Sequence, residues 1–567
     1  LNTPTTLMLD VGELKTTDTA SLLALLGKKL NFPQVMPANL SGQIKQTRGT
    51  IGLLKVRGTV GTTNVNVDGT IGEPPKYADT LLNLDITGSD LEHFLPYHID
   101  QAIPFQIKGR LALDKGYTQF DNLQLKLANI EAIAQGKVGD WESISGTELS
   151  ISAQGPNLDA IAAILNRPLP AGAVNFDGHV RGTEDTFHID RMNAQLGESN
   201  LTGDLKLTRG KPPRLKGHLS STYLDLALFQ KEAKPKPPSA ITNEVPDTSL
   251  AGDDDTSSRT DQRMLFPDTP IELKTFDYLD LDLLIRIDEV ANLWERGALH
   301  DLRAKVLLNG RDLSVSDFEV GGPTGDKIHG EFSIGREADL TRIMVDISGK
   351  QMRIGLAAAP GQSPATYPPT NIDAKLIGAG RTYHELAASL NGRIKLVQGE
   401  GQINNSSLEL LFSDLLYQLF RNVNPFARTE STTRLNCGVY IANLENGITE
   451  IQDIVIQTDK LTIVSAGTVD LNTERINIGF QIRSRRGVGI SASIITNPLI
   501  KLGGTMTRPA IELDPTRASI ATGAAVATGG LSILFRGVWD RYLSSRDPCG
   551  EALRRDAELQ AKKTRKP

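Results

Sequence analysis

Histidine and aspartate residues are the first candidates for chemistry in this chain of 567 residues. His93 and His98 lie five positions apart on either side of Pro96, so one helix face cannot present both side chains to a metal ion. The acidic run Asp253–Asp255 lacks the glycine and the distant glutamate of a calcium-binding loop. We therefore predict no metal site, and we interpret these residues as ordinary histidines and part of a solvated linker.

Two cysteines, Cys437 and Cys549, could either pair or remain free. Two such residues cannot form a disulfide framework or a cysteine zinc site. Because isolated cysteines usually act as small hydrophobic side chains, we expect two free buried thiols.

Glycine and serine motifs of the common enzyme classes are missing or incomplete. Gly487 and Gly489 in RGVGIS resemble a dinucleotide-binding loop, but the third glycine and the surrounding strand–helix–strand pattern are absent. The sequence contains neither a phosphate-binding P-loop nor the serine elbow of a hydrolase. We therefore predict a turn or bulge at these glycines, and a protein that is not an enzyme and binds no cofactor.

The densest positive patch is formed by Arg483, Arg485 and Arg486. These side chains could contact phosphate headgroups, or they could form the polar outer face of a strand and its turn. The second interpretation is favoured, since alternating charged residues are typical of a solvated strand face.

Composition favours a folded, turn-rich protein. The chain is 39% hydrophobic but only 5% aromatic, with 52 glycines and 29 prolines, which argues against disorder and against a helical bundle. Its formal net charge of −6 gives no electrostatic footprint for nucleic acid.

Most of the chain alternates apolar and polar residues with a period of two. LLKVRGTV and LQLKLANI are examples, and each such run ends at a cluster of Gly, Asn, Asp or Pro. This pattern predicts consecutive antiparallel strands in a sheet that is solvated on one face.

Short helical segments recur between these strands, beginning near Ser21, Asp90, Asn157 and Tyr223. The starts are 66 to 69 residues apart, which indicates a repeat architecture. Ser, Asp and Asn at these starts are good N-caps. A further helix-like step is expected at Val290–Trp294.

The pattern stops in a segment rich in Pro, Ser, Thr and Asp, which predicts a flexible linker. The last residues, from Arg554 onward, are expected to form a frayed charged tail. The apolar run Gly523–Phe535 is shorter than the ~20 residues of a membrane-spanning helix. The predicted divisions are repeating units at 1–230, a linker at 231–263, a middle section at 264–390, a β region at 391–514 and a helical segment at 515–567.

A long sheet with one apolar face must cover that face, because wet apolar surface costs roughly 25 cal/mol per Å². The face could pack against a second sheet, or the sheet could curl into an open trough that lipid acyl chains fill. Periodicity alone does not decide between a packed core and a lipid-lined floor. The candidate floor residues are Leu123, Leu125, Leu127, Leu461, Ile463, Ile476, Ile478, Phe480 and Ile482.

The C-terminal part resembles the AsmA family of Gram-negative envelope proteins. The resemblance lies in LELLFSDLLYQLFRNVNPF, TRLNC and TDKLTIVSAGTVDLNTERINIGFQIRSR, followed by NPLIKLGGTMTRPAIELDP and DPCGEAL, and it covers roughly Gly392 to Leu553. It implies a periplasmic protein held by an N-terminal anchor in the inner membrane. It also implies a repeating β-groove that carries phospholipid between the two membranes. The chain begins at Leu1 in strand-like sequence, so we expect the anchor to be absent from it.

We therefore predict a mainly β fold with short helices: a long curled antiparallel sheet, or repeating β-groove, with a helical C-terminal segment. The predicted function is phospholipid transport in support of outer-membrane homeostasis, with the helix at Ser407–Asn422 as an end cap or docking element. A charge at Leu125 or Ile478 should then block transfer without unfolding the protein. The alternative is an assembly factor for outer-membrane proteins that binds its clients at exposed strand edges.

Overall fold

The structure is a computed structural model. It describes residues 7–19, 36–47, 50–73, 77–95, 98–99, 101–114, 116–139, 145–166, 168–229, 264–294, 297–322, 324–353, 363–404, 432–485, 500–513 and 531–564. The chain divides into two compact units, Leu1–Phe229 with Tyr278–Ala291, and Gln230–Asp277 with Asn292–Pro567. The predicted fold class, mainly β with short helices, is confirmed in both.

The first unit is a ladder of strands that follow one another along the chain; neighbouring strands are antiparallel except at its end, where the last strand runs parallel to its partners. Its strands are β1 (Leu7–Thr16), β2 (Ala38–Thr47), β3 (Thr50–Val60), β4 (Thr63–Gly72), β5 (Thr80–Gly88), β6 (Phe105–Asp114), β7 (Tyr117–Leu127), β8 (Ile130–Val138), β9 (Glu148–Gly155), β10 (Val174–Thr183), β11 (Thr186–Leu196), β12 (Ser199–Thr208), β13 (Arg214–Ser221), β14 (Leu224–Asp225) and the start of β15 (Asp280–Trp294).

A structural repeat of four strands runs through this ladder, as β2–β5, β6–β9 and β10–β13. The second strand of each group carries a β-bulge, and Lys55, Asn122 and Arg191 at the bulges have φ of 53°, 49° and 52°. The strand before the bulge carries a glycine where the backbones approach closely. A Cβ on Gly109 would lie 2.8 Å from Cα of Leu123, which explains why no larger residue fits there.

Short helices follow the fourth strand of each group, as the repeat predicts. They are a 3-10 turn at Leu91–Phe94, helix α1 at Asp159–Leu165 and a 3-10 turn at Leu226–Phe229. Asp90 caps the first turn by accepting a hydrogen bond from the Glu92 amide, and Asn157 accepts one from the Asp159 amide. The predicted N-cap at Asp90 is therefore confirmed. The one at Asn157 is wrong, because Leu158 takes the N-cap position of α1 and makes no side-chain cap hydrogen bond.

The expected helix-like step at Val290–Trp294 is wrong. These residues belong to strand β15, which runs parallel to β13 and pairs with β14 through Leu224 and Val290. Strand pairing with β14 satisfies the backbone here, so local helix propensity does not decide the conformation.

The second unit is also an antiparallel ladder. Its strands are β16 (Gly297–Asn309), β17 (Asp312–Gly321), β18 (Lys327–Glu337), β19 (Leu340–Met352), β20 (Thr370–Gly380), β21 (Asn391–Gln398), β22 (Gly401–Asn404), β23 (Thr432–Glu445), β24 (Ile448–Thr458), β25 (Leu461–Asp470), β26 (Arg475–Ser484), β27 (Ile500–Thr505) and β28 (Arg508–Leu513). Short helical turns lie at Lys274–Tyr278, Pro364–Thr366 and in helix α2 (Tyr383–Ala388).

An extended segment at 264–273, here named the strap, crosses from the β25–β26 turn to the start of α2. The amides of Leu265 and Phe266 donate to the buried carboxylate of Glu474, at 2.8 and 2.7 Å. Further along, the Ile271 amide donates to the carbonyl of Arg381.

Helices α3 (Leu531–Ser544) and α4 (Pro548–Thr564) cover one face of β23, β24 and β25. A disulfide between Cys437 in β23 and Cys549 in α4 fastens this layer. The expectation of two free thiols is therefore wrong, because folding brings these residues together from 112 positions apart.

The predicted frayed tail after Arg554 is also wrong over most of its length. Helix α4 continues to Thr564, and its Arg555 and Asp556 form buried ion pairs with the sheet. A helix that carries buried charges with partners is docked and does not fray.

Several predicted features lie outside the described residues. They are the helix beginning near Ser21, the linker at 231–263, the helix at Ser407–Asn422, Arg486, the glycines Gly487 and Gly489, and most of the apolar run Gly523–Phe535.

Candidate functional site

One face of the first ladder carries an unbroken row of apolar residues in cross-strand register. Each residue pairs with the next across a pair of neighbouring strands, and all of them are half-buried, neither enclosed nor fully exposed. This first apolar row spans β2 to β12. It consists of Leu40, Gly58, Val65, Ile86, Ile107, Leu125, Ala132, Ala153, Phe176, Ala194 and Leu201.

The opposite face of the same strands is polar, as the alternation predicts. The side chains next to Leu125 in sequence, Gln124 and Lys126, are both exposed. Ion pairs join neighbouring strands across this outer face; they include Lys108–Asp85, Lys126–Glu131, Lys137–Glu148, Arg181–Asp190 and Lys216–Asp282. Charged pairs of this kind are stable in contact with water, so the outer face can remain hydrated. The apolar face is then the surface that burial from water would stabilise.

The bulges keep the apolar side chains on one face. In β7, Phe120 and Leu123 are three positions apart, yet both pack in one cluster because the bulge at Asn122 inserts an extra residue. Leu123 is 9% exposed and Leu125 is partly buried against the same cluster. Without the bulge, Leu123 and Leu125 would face the polar side.

Short helices pack at the strand ends beside the first row. Leu127 packs against Ile99, Ile103 and Ala160, so it belongs to a cluster at the edge of the ladder rather than to the row. The three leucines of β7 therefore divide: Leu123 and Leu125 share one cluster, and Leu127 lies in another.

The second unit carries an equivalent row, which spans β17 to β27. The second apolar row consists of Phe318, Gly330, Ile347, Ala374, Ile394, Ala442, Ile451, Gly467, Ile478 and Leu502. Ile394 in this row is 36% exposed. Phe332, two positions after Gly330 and on the same face of β18, is 37% exposed. The row becomes buried from β25 onward, where Ile478 is 9% exposed.

The six candidate residues from the C-terminal part lie together on this face. Leu461, Ile463, Ile478 and Phe480 are buried in one cluster, and Ile476 and Ile482 pack against it. Burial to this degree is typical of a packed core, whereas Leu125 retains exposed apolar surface. The role of the nine candidate residues in lipid contact remains a prediction.

Sequence reasoning did not single out Phe332 and Ile394, which expose the most apolar surface on this face among the residues named above. Their strands do alternate in polarity, so the period-two pattern could have found them. Among the described residues, no group of three or more His, Cys, Asp or Glu side chains could hold a metal ion. Within that same part of the chain, no helix combines the length and the hydropathy that crossing a membrane requires.

Comparison with known proteins relates the chain to one curated protein. It is 24% identical over 464 residues to the AsmA family protein YhjG of Escherichia coli strain K12, which covers 75% of the chain. This similarity supports membership of the AsmA family. It spans 61% of the length of YhjG, so the activity of the whole relative is not transferred to it.

No family model matches the chain, and no solved structure matches it either. The similarity to YhjG supports an envelope-related family. What the two apolar rows bind must be argued from their own geometry.

Proposed function

We propose that each apolar row forms the floor of a groove along which phospholipid acyl chains lie, and that this protein moves phospholipid between the inner and outer membranes. One observation supports this most directly: all eleven residues of the first apolar row are half-buried. The protein then acts without catalysis, since the apolar floor only has to cover the acyl chains while the headgroups stay hydrated.

The energetics favour an apolar occupant. Surface on the first row that stays wet costs roughly 25 cal/mol per Å², and an acyl chain laid along it would remove that cost. The row consists of Leu, Ile, Val, Ala and Gly with a single Phe. Such small and smooth side chains provide little to hold one ligand in a fixed pose, as movement along the groove requires.

The length of the row supports transport over storage. Eleven strands at a spacing of ~4.8 Å give a row of roughly 48 Å. An acyl chain extends about 15 Å, half of the ~30 Å hydrocarbon core of a bilayer. The first row is therefore about three times as long as the chain it would hold, and a lipid would occupy successive positions on it.

Location in the periplasm is part of the same proposal. Disulfides form and persist in oxidising compartments such as the bacterial periplasm, and the Cys437–Cys549 bond suits that compartment. Attachment to the inner membrane belongs to the same proposal.

The decisive experiment places a charge on each face of one strand. Leu125→Glu puts a carboxylate on the first row, and Gln124→Glu puts the same carboxylate on the polar face one residue away. Transfer of a fluorescent phospholipid between vesicles should fall at least ~10-fold for Leu125→Glu and stay unchanged for Gln124→Glu, because burying a charge beside acyl chains costs several kcal/mol. Equal rates for both variants would argue against the groove.

Leu125 is a sharper choice than Ile478. Since Ile478 is 9% exposed and packed in a cluster, a charge there would unfold its surroundings and leave transport untested. In the second unit, Phe332→Glu and its neighbour Ser333→Glu provide a second matched pair. Circular dichroism of all four variants separates lost transport from lost folding.

An assembly factor for outer-membrane proteins remains the second candidate. Among the described pairings, β1 bonds only to β2 and β28 only to β27, so each offers a free strand edge. Free edges can capture an extended client by strand addition. Native mass spectrometry of the purified chain should find bound phospholipid under the first proposal, and a co-purifying barrel-assembly partner without lipid under the second.

A further inference from the structure

A charged cleft lies on the outer face of the second unit, where β23–β26 end near the last turn of α3. Its volume is about 970 Å³, which is large enough for a small ligand. Four arginines and two carboxylates dominate its lining, and neutral hydrogen-bonding side chains complete it. The lining consists of Glu400, Arg434, Asn436, Gln457, Asp459, Thr462, Arg483, Arg485, Leu543, Ser544, Ser545 and Arg546.

The charges in this cleft leave an excess of two positive charges, since four guanidinium groups face two carboxylates. Arg434 forms an ion pair with Glu400, and Asp459 lies close enough to Arg434 to add to the same field. Both carboxylates are therefore associated with one arginine. The cationic excess belongs to Arg483, Arg485 and Arg546.

Two of these three arginines are held in place by the fold. Arg483 donates through Nη1 to the carbonyl of Leu543 at 2.9 Å, and Arg485 donates through Nη1 to the carbonyl of Thr458 at 2.9 Å. Each bond uses one of the five N–H donors of a guanidinium, so both side chains keep donors for a ligand. The bond from Arg483 also covers a carbonyl near the C-terminus of α3, where free carbonyls would repel an anion.

The remaining lining suits oxygen acceptors. Asn436 and Gln457 contribute amide groups, and Thr462, Ser544 and Ser545 contribute hydroxyl groups. Guanidinium groups recognise phosphate through paired N–H donors, and such charge-assisted bonds are about twice as strong as neutral ones. An anion with several oxygens could therefore be held by arginine forks and by neutral donors together.

We propose that this cleft binds a phosphate-bearing anion, and that the anion is a phospholipid headgroup. The identity of the phosphate source rests on the proposed lipid function, whereas phosphate binding itself does not. Leu461, Ile463 and Ile482 occupy the apolar face of β25 and β26, and Thr462 and Arg483 occupy the cleft face of the same strands. A headgroup in the cleft would stay hydrated, on the opposite face of the strands from the buried cluster of Leu461 and Ile463.

The proposal gives Arg483 and Arg485 a role that the sequence left open. The sequence favoured a solvated strand face for this basic run, and the structure does place Arg483 on the polar face. The new element is the convergence of Arg434 and Arg546 on the same cleft, although they lie 49 and 63 positions from Arg483 in the chain.

The test compares two double variants of the full chain with equal changes in charge. Arg485→Gln/Arg546→Gln removes two cleft charges, and Arg57→Gln/Arg110→Gln removes two exposed charges from the first unit. Titration with inorganic phosphate and with glycerol 3-phosphate, followed by phosphorus NMR line widths, should show at least a ~10-fold loss of affinity for the cleft variant alone. Arg485→Lys/Arg546→Lys should recover part of the affinity, because it keeps the charge but loses the fork.

Vesicles identify the source of the phosphate. Sedimentation with phosphatidylcholine vesicles, with and without phosphatidylglycerol, should show binding that the cleft variant loses and that rising salt weakens. Soluble phosphate binding without vesicle binding would keep the cleft as a phosphate site and overturn the headgroup assignment. Equal phosphate affinity in the parent and the cleft variant would overturn the site itself. Neither result depends on whether Leu125→Glu blocks lipid transfer.

Discussion

Arg555 in helix α4 donates through Nη1 to Oδ1 of Asp453 in strand β24 at 2.7 Å, although the two residues are 102 positions apart. Asp453 is 1% exposed and lies at a bulge in β24, so its carboxylate has almost no contact with water. Burial raises the pKa of Asp453, and the positive charge of Arg555 partly offsets that effect. This pair fixes α4 against the outer face of the sheet.

Removing one partner of this pair should be costly. Arg555→Met leaves a buried carboxylate without its cation, which should lower the free energy of unfolding by about 3 kcal/mol. Asp453→Asn in the same chain removes the stranded charge and should restore at least half of that loss. Urea unfolding followed by Trp539 fluorescence, with Trp141 and Trp294 replaced by Phe, measures both variants. Strictly additive effects of the two substitutions would contradict this coupling.

Asp556 should make the docking of α4 sensitive to acid. Burial opposes its ionisation, but hydrogen bonds from Lys395 and Arg393 outweigh that effect and hold the pKa of Asp556 below its usual value of 3.8. A folded-state pKa below the unfolded one gives stability that is present above pH 3.8 and is lost as the pH falls through the folded pKa.

The measurement compares the parent with Asp556→Asn from pH 7 to pH 3. The variant should be less stable by about 2 kcal/mol at pH 7, since it loses two charge-assisted hydrogen bonds. The difference should shrink below pH 3.8, where protonation of Asp556 in the unfolded parent begins to favour unfolding. Glu558→Gln, on the exposed side of α4, is the control and should change little at any pH. A difference that is constant over this range would show that Asp556 acts by packing alone.

The disulfide should contribute more to α4 docking than any single ion pair. Cys437 and Cys549 close a loop of 112 residues, and the loop entropy for this length predicts a stabilisation of about 5 kcal/mol. Adding dithiothreitol should lower the stability of the parent to that of Cys437→Ala/Cys549→Ala. The double variant itself should not respond to dithiothreitol. A parent whose urea midpoint does not move on reduction would refute the prediction.

The apolar rows were predictable from sequence because they depend on local pattern. The alternation around Leu125 identifies the face, and the spacing of the helix starts identifies the repeat that the bulges at Lys55, Asn122 and Arg191 follow. Both signals are local: each strand displays its own polarity, and each repeat displays its own turn. The register that aligns the residues within each row follows from short connections between consecutive strands.

The docked C-terminal helix was not predictable in the same way. RRDAELQAKK has the composition of a solvated tail, and nothing near Arg555 in the sequence indicates a partner. Its partners, Asp453 and Arg393, lie 100 or more positions earlier, so the burial of these charges depends on tertiary structure alone. Cys549 was expected to be a free thiol because its disulfide partner, Cys437, is also distant in the chain. Val290 was expected to start a helix-like step because its strand partner, Leu224, lies in another part of the sequence.

Glu474 should control the strap at 264–273. Its carboxylate is 2% exposed and accepts hydrogen bonds from the amides of Leu265 and Phe266. Glu474→Gln keeps the length of the side chain and tolerates the same backbone conformation, but it replaces one acceptor oxygen with a donor and removes the charge. Charge-assisted bonds of this kind contribute about 1.5–3 kcal/mol, so the two amides should exchange hydrogen at least ~10-fold faster.

Hydrogen exchange by mass spectrometry on a peptide that covers Leu265 and Phe266 measures this, with the exposed Glu450→Gln as control. Unchanged exchange in Glu474→Gln would mean that the strap is held by its contacts at Arg381 and α2 instead, because those bonds are backbone-only and remain in the variant.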